Sequence, residues 1–488
     1  MDEANFIKFV LKHMKVNPQI FRAYDLRGVA NVDLNPEIVE HIGRAFGTYL
    51  NRHDIKDAVV GHDSRESSPS YSEALIKGIV STGTNVTDIG LAMVGMFYWS
   101  QYYLKTKGGA FVTASHNPPQ FNGFKFANDY SETLVTDGMK ELLRMVEEED
   151  YVESKRLGKV SKKDIREAYY KDLLSRMDIK KKFRIVVDPS GTTSGKIMPE
   201  LFRKAGMEVV EKNCELVPGF YKGAADPTEA LIAERLREEV LEEKADLGFS
   251  YDCDGDRIGI VDERGTIIWN DVLVALFAMD VLKDHPGDII MFNTLCSKVV
   301  PQTILKAGGK PFMWRTGHSF LKKKNQEVKA AFIGELSGHF FFSKDFHNHD
   351  DGSYSALRLL QYLSRINQSL GEAIAKLPHY ISSPEIKLFC ADDKKADVVG
   401  RISPILRKDY PKAEVIDDER AGDGVRFDMP DSMFVVRYSQ NGPYLTIKFE
   451  ATTKERFEEL RRYISKLLHS FKEVDFESKI SVNLELLK

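Results

Sequence analysis

Three aspartates occupy alternate positions in the segment Asp-Cys-Asp-Gly-Asp at 252–256, and Arg257 follows at once. The stretch before this segment, Ala245 to Tyr251, is short and largely apolar, which predicts a strand ending at the loop. Carboxylates held this close repel one another, so such a loop is stable only around a hard cation such as Mg²⁺. An EF-hand would use Glu263 as its last ligand, but it needs glycine at Arg257 and flanking helices. The loop predicts a divalent-metal site, with a solvated acidic turn as the alternative.

A serine follows directly after a second predicted strand, the apolar segment 108–114. Asn117, Pro118 and Pro119 come after Ser115 and stiffen the turn, because proline fixes φ and cannot continue a strand ladder. A hydroxyl on a rigid loop is a candidate nucleophile or phosphate carrier. Together with a cation site it predicts phosphate chemistry. For this segment alone, an ordinary turn serine is the alternative.

Lys125 lies between Phe124 and Phe126, and strand alternation places the lysine on the opposite face from the two aromatic rings. Its side chain would then point back toward the serine loop. There it could act as a general acid or base with a lowered pKa, or as a counter-ion for phosphate. A surface lysine is the alternative interpretation.

Two further loops carry groups that suit a phosphosugar. Glu335 and Ser337 stand two residues apart in the segment Gly-Glu-Leu-Ser-Gly-His, so both side chains can point the same way toward a pair of sugar hydroxyls. The segment Arg-Tyr-Ser-Gln-Asn-Gly-Pro at 437–443 offers a guanidinium, neutral donors and turn amides to a phosphate. A polar hairpin turn is the alternative there.

Other polar groups are less specific. Arg27, in the segment Phe-Arg-Ala-Tyr-Asp-Leu-Arg-Gly at 21–28, could neutralise phosphate charge. His318 and the lysines at 322–324 could bind an anion, although an exposed basic face explains the lysines equally well. The histidines and aspartates at 347–351 are interpreted as a polar loop rather than a metal site. The segment 190–197 lacks the first glycine and the final Ser or Thr of a P-loop, and no GxGxxG follows a strand, which argues against a kinase or dehydrogenase.

The elements that must position these groups alternate between strand and amphipathic helix over the first three quarters of the chain. This pattern predicts α/β layers with mixed or parallel sheets, in three similar rounds of roughly one hundred residues. The last quarter reads as a smaller α+β unit with an antiparallel sheet. We place the domains at 1–160, 161–263, 264–375 and 376–475, and predict that residues 476–488 are a loosely attached tail.

Composition narrows the function classes. The chain has 488 residues and a net charge of −4, so nothing indicates a nucleic-acid or anionic-membrane partner. The four cysteines have no CxxC spacing, which fits reduced thiols in the cytoplasm better than a disulfide framework or a zinc site. The first residues lack a secretion-signal pattern, and no apolar stretch is long enough to span a bilayer. We expect a cytoplasmic protein.

Six of these segments resemble, in order and spacing, the motifs of the α-D-phosphohexomutases, and within that family they are most like the bifunctional phosphomannomutase/phosphoglucomutase branch. The segments are FRAYDLRG, TASHNPP with NGFK, DCDGDR, TGH, GELSGH and RYSQNGP, and the likeness spans residues 21–471. The resemblance implies three α/β domains and a fourth that closes over the substrate in a central cleft. It also implies an isomerase that interconverts hexose 1- and 6-phosphates through a phosphoserine and a hexose 1,6-bisphosphate, which is both intermediate and activator.

The resemblance also implies a role for each matching residue. Domain 1 would carry the phosphoserine, domain 2 the metal, domain 3 the sugar-recognition loop and domain 4 a phosphate site. The implied catalytic residues are Ser115, Lys125, His116 and Arg27. The implied Mg²⁺ ligands are Ser115, Asp252, Asp254 and Asp256. The implied substrate-binding residues are Tyr24, Arg257, Gly317, His318, Glu335, Ser337, His339, Arg437, Ser439, Gln440 and Asn441.

Two positions depart from the family pattern. Cys253 stands where glycine is usual, and we expect a small effect there. Gln440 and Asn441 replace the more usual Asn and Thr, which keeps the hydrogen-bonding capacity of the loop but changes its reach toward a phosphate. The alternatives are a phosphoglucosamine-type mutase, a catalytically silent phosphosugar-binding homologue, and a phosphosugar phosphatase that would not need the loop at Arg437. We expect a phosphosugar substrate, no nucleic-acid or membrane partner, and a monomer, with a dimer as the alternative.

Overall fold

Four β-sheets organise the chain in a computed structural model, which describes residues 16–440 and 442–487. The first sheet has the strand order β1-β5-β4-β2-β3-β7, with β6 paired to β5. Its strands are β1 (Leu26–Val29), β2 (Asp57–His62), β3 (Asn85–Leu91), β4 (Gly108–Val112), β5 (Phe121–Asp129), β6 (Glu132–Thr133) and β7 (Val160–Lys162). The helices of this unit are α1 (Pro36–Arg52), α2 (Ser68–Ser81), α3 (Val94–Leu104) and α4 (Thr136–Glu147).

The second and third sheets are smaller and follow the orders β12-β11-β10-β8-β9 and β14-β13-β15-β16. The second unit contains α5 (Arg166–Ser175), β8 (Arg184–Asp188), α6 (Met198–Lys204), β9 (Glu208–Glu211), α7 (Ala230–Glu243), β10 (Leu247–Tyr251), β11 (Ile258–Asp262) and β12 (Ile267–Ile268). The third contains α8 (Asn270–Asp284), β13 (Ile289–Asn293), α9 (Val299–Lys306), β14 (Lys310–Trp314), α10 (His318–Val328), β15 (Phe332–Gly334), β16 (Phe340–Phe341), α11 (Gly352–Ile366) and α12 (Leu370–Ile374).

One strand pattern recurs in all three units. A central strand (β2, β8 or β13) is the first of four consecutive strands that share this pattern. It pairs in parallel with the next two strands of its unit, one on each side: β3 and β4, β9 and β10, or β14 and β15. The fourth strand (β5, β11 or β16) runs antiparallel to the third. The prediction of three related α/β domains with mixed sheets is therefore confirmed.

The fourth sheet is antiparallel throughout, in the order β19-β20-β21-β22-β18-β23 with β17 paired to β22. Its elements are β17 (Ile381–Ser382), β18 (Ile386–Cys390), α13 (Lys395–Asp409), β19 (Glu414–Ile416), β20 (Gly424–Met429), β21 (Ser432–Tyr438), β22 (Tyr444–Ala451), α14 (Lys454–His469) and β23 (Val474–Asp475). This unit is the predicted α+β domain.

The prediction of a loosely attached tail at 476–488 is wrong for the residues that the structure describes. Val482 pairs with Lys387 of β18. Leu484 and Leu487 are buried in the core of the fourth domain. Apolar residues in this segment cover the edge of the sheet, so it is an integral part of the domain.

Two predicted boundaries also cut through sheet pairings. The boundary at 160/161 falls inside β7, which pairs with β3 of the first sheet. The boundary at 263/264 falls inside the hairpin that joins β11 to β12. Strand pairing extends domain 1 to Lys162 and domain 2 to Ile268, because a domain boundary should cross few contacts. We infer four domains with these shifted limits.

Three hydrophobic clusters make up most of the interior of the described residues, and one of them lies within domain 1. A large one runs through domains 1, 2 and 3 and includes Met433 and Val435 of domain 4. Domain 4 has a separate core between its sheet and the helices α13 and α14. The first three domains thus share apolar packing, whereas domain 4 is built largely on its own core.

Candidate active site

Three equivalent loops, one each from domains 1, 2 and 3, meet at one place. They join β4 to β5, β10 to β11 and β15 to β16. They carry Ser115 (between β4 and β5), the aspartates 252–256 (between β10 and β11) and Glu335 with Ser337 (between β15 and β16). The hydroxyl of Ser115 donates to Oδ2 of Asp252 over 2.9 Å. Equivalent loops of three related domains therefore assemble a single cluster.

Ser115 has an unusual backbone conformation, and it is buried, whereas the position after a strand predicts an exposed hydroxyl. Its φ angle is +50°, in the left-handed region, and its backbone N–H donates to Oγ1 of Thr113 over 2.8 Å. The hydroxyl also lies 3.3 Å from Nδ1 of His116. A strained φ at a non-glycine residue occurs where the surrounding structure enforces it, and such positions cluster at functional sites.

Arg65, which the sequence analysis did not single out, holds this loop in place. Its guanidinium donates to the carbonyl oxygens of Ser115 (2.5 Å), Asn117 (2.7 Å), Pro118 (2.9 Å) and Phe121 (2.8 Å). Nε of Arg65 donates to Asp63 over 3.2 Å, and both side chains are fully buried. These contacts are to backbone carbonyls, which every residue has, so the side chains of the loop do not predict them.

The three aspartates fit a divalent cation. Carboxylate oxygens of Asp252, Asp254 and Asp256 lie within 4.8 Å of one another, and all three residues are fully buried. Oδ1 of Asp254 and Oδ1 of Asp256 have no hydrogen-bond partner within the described part of the chain. Burial, with the carboxylates of Asp256 and Asp254 nearby, raises the pKa of Asp252 well above its ordinary value. A bound cation would give the unpartnered carboxylate oxygens a ligand and would offset the repulsion among the three carboxylates. As predicted, strands flank the loop, not helices.

Lys125 points toward the aspartates, on the opposite face of β5 from the buried rings of Phe124 and Phe126. Its Nζ lies 2.5 Å from Oδ2 of Asp256 and 3.1 Å from Oδ2 of Asp254. Burial alone would lower the pKa of Lys125, but the two carboxylates outweigh it and raise that pKa well above its ordinary value. The expected lowered pKa is therefore wrong, whereas a counter-ion role agrees with this environment.

His116 belongs to the serine loop, and Arg27 contacts this loop at Asn117. Burial, followed by the charge of Arg257, lowers the pKa of His116 well below its ordinary value, so the imidazole is neutral at pH 7. Arg27 donates to Asp25 over 2.8 Å and to the side-chain oxygen of Asn117 over 2.7 Å. The structure thus brings both predicted residues to the Ser115 loop.

The sugar-recognition candidates form one wall of a cavity. Oε2 of Glu335 accepts hydrogen bonds from the backbone N–H of Gly317 (2.9 Å) and from Nδ2 of Asn293 (3.2 Å). Burial raises the pKa of Glu335. Gly317 has a φ of +125°, which a residue with a side chain rarely adopts, so glycine is needed for this N–H to face the carboxylate. Tyr24 packs edge-on against His318, with 5.1 Å between ring centroids.

His339 is held from both sides. Nε of Arg257 donates to Nε2 of His339 over 3.0 Å, and Nδ1 of His339 lies 2.7 Å from Oδ2 of Asp350. Because Nε2 accepts from Arg257, Nδ1 is the ring nitrogen that carries hydrogen, and it faces Asp350. The ring also stacks on His318 at 4.9 Å.

Two residues that the sequence analysis assigned to polar surface are buried beneath this site. Asp350, predicted to lie in a polar loop, is fully buried, and so is Lys322, predicted to belong to an exposed basic face. Nζ of Lys322 lies 3.8 Å from Oδ1 of Asp350 and 3.9 Å from the centroid of the Tyr98 ring. Burial lowers the pKa of Lys322, and it would raise the pKa of Asp350, but Lys322 and His318 lower it well below its usual value. Pairing between these two side chains, together with the contact of Lys322 to Tyr98 of domain 1, explains both errors.

The predicted phosphate loop lies across the cavity in domain 4. Nε and Nη2 of Arg437 donate to the two carboxylate oxygens of Asp423 over 2.8 and 2.5 Å, and Nε2 of Gln440 donates to Oδ2 of Asp423 over 3.2 Å. Asn441 lies outside the described residues. One cavity is lined by most of the predicted substrate-binding residues: Tyr24, Arg257, Gly317, His318, Glu335, Ser337, His339, Arg437, Ser439 and Gln440. His116 lines it too.

Comparison with known proteins identifies the family. The chain matches the phosphoglucomutase/phosphomannomutase alpha/beta/alpha domain I over residues 18–153, domain II over 167–265 and domain III over 269–380. It is 37% identical over 442 residues to a phosphomannomutase/phosphoglucomutase of Pseudomonas aeruginosa, covering 91% of this chain and 94% of that protein. The chain belongs to the phosphoglucomutase/phosphomannomutase family.

Other members of this family are similar over nearly the whole chain. A phosphoglucomutase of Neisseria gonorrhoeae is 30% identical over 455 residues, covering 93% of this chain and 98% of that protein. A crystal structure of a phosphoglucomutase/phosphomannomutase family protein from Burkholderia thailandensis has a TM-score of 0.84 and 29% identity, covering 93% of this chain and 98% of that one. The predicted family is therefore confirmed. Within residues 16–440 and 442–487, no helix is long and apolar enough to cross a membrane.

Proposed function

We propose that this phosphoglucomutase/phosphomannomutase family protein interconverts hexose 1-phosphate and hexose 6-phosphate, of mannose, glucose or both. The observation that carries the proposal is the hydroxyl of Ser115, which lies 2.9 Å from one of three clustered aspartates and beside a neutral histidine. A phosphoryl group on this hydroxyl would sit next to the aspartate triad, which would hold Mg²⁺ together with a phosphoryl oxygen. When bound, Mg²⁺ would neutralise charge on the phosphoryl group.

The proposed reaction uses two phosphoryl transfers. In the first, the bond between phosphorus and Ser115 Oγ breaks as a bond forms to the free hydroxyl oxygen of a hexose 1-phosphate. The hydroxyl proton passes to the imidazole of His116, which returns a proton to Oγ. The resulting hexose 1,6-bisphosphate turns around, and its other phosphate moves back to Ser115 by the reverse step. Lys125 and Arg257 stabilise the transferred charge, which is most of what such a transfer requires.

The remaining residues hold the sugar in both orientations. Glu335 and Ser337 would accept and donate hydrogen bonds to the 3- and 4-hydroxyls, with Tyr24, Gly317, His318 and His339 shaping the wall around them. Arg437, Ser439, Gln440 and Asn441 would bind whichever phosphate is not being transferred. Arg27 fixes the serine loop through Asn117 and adds positive charge.

The location and oligomeric state also remain part of the proposal. All four cysteines are buried free thiols, which supports a reducing, cytoplasmic environment. The monomer expected from the sequence stays a proposal, with a dimer as the alternative.

Replacing Ser115 tests the proposal. Ser115→Ala should abolish turnover and leave the fold intact, because the hydroxyl is the phosphoryl carrier. Wild type incubated with glucose 1,6-bisphosphate labelled in its phosphates should carry the label on the peptide that contains residue 115, as found by mass spectrometry. Ser70→Ala, at an exposed helical serine, is the matched control and should keep both label and rate. A Ser115→Ala enzyme of wild-type rate would refute the mechanism.

Parallel assays decide the sugar. Mannose 1-phosphate, glucose 1-phosphate and glucosamine 1-phosphate are compared at equal concentrations with the bisphosphate activator present. We expect the two neutral hexoses to be converted faster than the amino sugar. Free inorganic phosphate as the main product would instead favour a phosphatase.

A further inference from the structure

Lys387 is a buried lysine in the wall of the cavity, and the proposed phosphoryl transfers do not use it. It lies on β18, where Ile386, Leu388 and Cys390 point into the core of domain 4 and Lys387 points to the opposite face. Its side chain is only 10% exposed, and it lines the same cavity as Arg437. A lysine is almost never buried without a partner, so its partner is the informative feature.

That partner is Asp226, which belongs to domain 2. Nζ of Lys387 lies 3.1 Å from Oδ2 of Asp226, whose side chain is 1% exposed. Oδ1 of Asp226 accepts from the backbone N–H of Thr228 over 3.0 Å and from its hydroxyl over 2.7 Å. The carboxylate is thus fixed in domain 2 before Lys387 reaches it, and the ion pair joins domain 2 to domain 4 directly.

A different set of contacts fixes domain 4 to domain 3. Arg426, fully buried, donates to the carbonyl oxygens of Thr294 (2.7 Å) and Cys296 (2.6 Å), and Lys448 pairs with Asp271. Domain 4 otherwise has its own core. Its attachment to domain 3 can therefore persist if the contact with domain 2 opens.

The size of the cavity shows why that contact must open. The space enclosed between the loops is about 60 Å³, whereas sites for small ligands typically measure roughly 300–1,000 Å³. A hexose bisphosphate cannot enter or turn around in so small a space. Domain 4 must move away from domain 2 at least once per turnover, and Lys387 must then leave Asp226.

We propose that the Asp226–Lys387 ion pair is a latch that recloses the cavity, so that the bisphosphate has little time to escape while domain 4 is open for its reorientation. The proposal rests on the proposed mutase function. Lys387 and Asp226 are then positioning residues that determine how often the intermediate escapes before its second phosphate returns to Ser115. Burial alone would lower the pKa of Lys387, but Asp226 raises it, so the lysine stays charged in the closed state.

The C-terminal segment sets the position of the latch. The backbone N–H of Lys387 donates to the carbonyl of Val482 over 3.1 Å, and the N–H of Val482 donates to the carbonyl of Lys387 over 2.8 Å. The adjacent Asn483 donates to the carbonyl of Glu385 over 2.8 Å, and Glu385 also lines the cavity. This segment therefore holds β18 on the side away from β22 and fixes the backbone from which Lys387 extends.

The test measures escape of the intermediate. Phosphorylated enzyme is mixed with carbon-labelled glucose 1-phosphate for one turnover, and labelled bisphosphate in the protein-free filtrate is compared with labelled glucose 6-phosphate. Lys387→Met and Asp226→Asn should each raise this ratio roughly tenfold or more, the loss expected for one charge-assisted hydrogen bond. The double variant should be no worse than the worse single one, because both singles remove the same interaction.

Two controls separate the latch from general damage. Lys387→Arg keeps the charge and should keep a low ratio. Arg22→Met removes a more exposed ion pair between domains 1 and 4, with Asp392 as its partner, and should leave the ratio unchanged. Circular dichroism melts verify that each variant is folded, and Asp226→Asn still offers Oδ1 to Thr228.

Each outcome bears on the latch. Unchanged ratios, or single effects that multiply in the double variant, would overturn it. A higher KM for glucose 1-phosphate with an unchanged ratio would also overturn it and make Lys387 a direct phosphate ligand. Turnover and Ser115 labelling of the wild type are measured before any latch variant is compared. If the wild type shows neither, the proposed mutase function is wrong, independently of the latch.

Discussion

Ser115 shows how a single residue is forced into position. A left-handed φ costs a non-glycine residue roughly 1–2 kcal/mol, and the surrounding contacts must supply that energy. Thr113 holds its N–H, and Arg65 holds its carbonyl together with three others of the loop. The nucleophile candidate is therefore placed by a residue fifty positions earlier in the chain.

Arg65→Met should disrupt the loop. The variant leaves the buried carboxylate of Asp63 unpaired, so the free energy of unfolding should fall by about 3–5 kcal/mol. The rate of Ser115 phosphorylation should fall by about a hundredfold, the cost of misplacing a reacting atom by roughly 1 Å. Denaturant unfolding and label incorporation measure the two effects. Arg44→Met, which breaks a surface pair with Glu40, should cost less than about 1 kcal/mol; equal losses in both variants would contradict this account.

Residue types and spacing predicted which side chains form the candidate site better than they predicted which side chains are buried. The alternating aspartates, Ser115 and Lys125 could be found in the sequence because their types and spacing have few other uses. Lys322 and Asp350 could not, since a lysine in a helix and an aspartate beside histidines suit a surface as well as a core. What distinguishes them is a partner from another part of the chain, at 3.8 Å.

At the scale of elements, the alternation of strand and helix predicted the three α/β domains because hydrophobic period and strand length are local properties. The convergence of the third-to-fourth-strand loops could not be predicted in the same way, since it depends on how three sheets pack. The C-terminal segment was misjudged for a related reason. Its apolar residues are few and widely spaced, and it is the pairing of Val482 with β18 that brings Leu484 and Leu487 to the domain 4 core.

Leu487→Ala tests whether this segment contributes to the fourth domain. The side chain is fully buried in the domain 4 core, so its truncation should lower the free energy of unfolding by about 2–5 kcal/mol. Ile480→Ala is the matched control in the same segment, where the side chain is 49% exposed and the expected loss is below about 0.5 kcal/mol. Urea titration measures both. A Leu487→Ala protein as stable as wild type would restore the prediction of a loose tail.

At the scale of the whole molecule, the metal candidate joins two domains. Ser115 comes from domain 1 and the three aspartates from domain 2, so a bound cation with a ligand from each would hold the two together. Anything that binds only the folded state stabilises it by mass action, by about 2.7 kcal/mol at a hundred times the dissociation constant.

Mg²⁺ should therefore raise the thermal midpoint of wild type above the value in EDTA. Asp252→Asn should lose this rise. In EDTA its midpoint should not fall below that of wild type, because one of three repelling charges is gone. Asp129→Asn, at an exposed carboxylate, should respond to Mg²⁺ as wild type does. Calorimetry with and without the ion measures the shift, and a full response in Asp252→Asn would remove that residue from the ligand set.

The recurring strand pattern has a practical consequence for redesign. Residues 335–339 leave one buried strand and return on its antiparallel neighbour, so both ends of the segment are anchored by the sheet rather than by the sugar. A replacement segment of equal length from a relative with another sugar preference could be grafted between β15 and β16 without rebuilding either strand. A graft that keeps His339 would also keep its contact with Arg257. Ser115 and the three aspartates lie on other domains, so the proposed sugar contacts could be exchanged on their own.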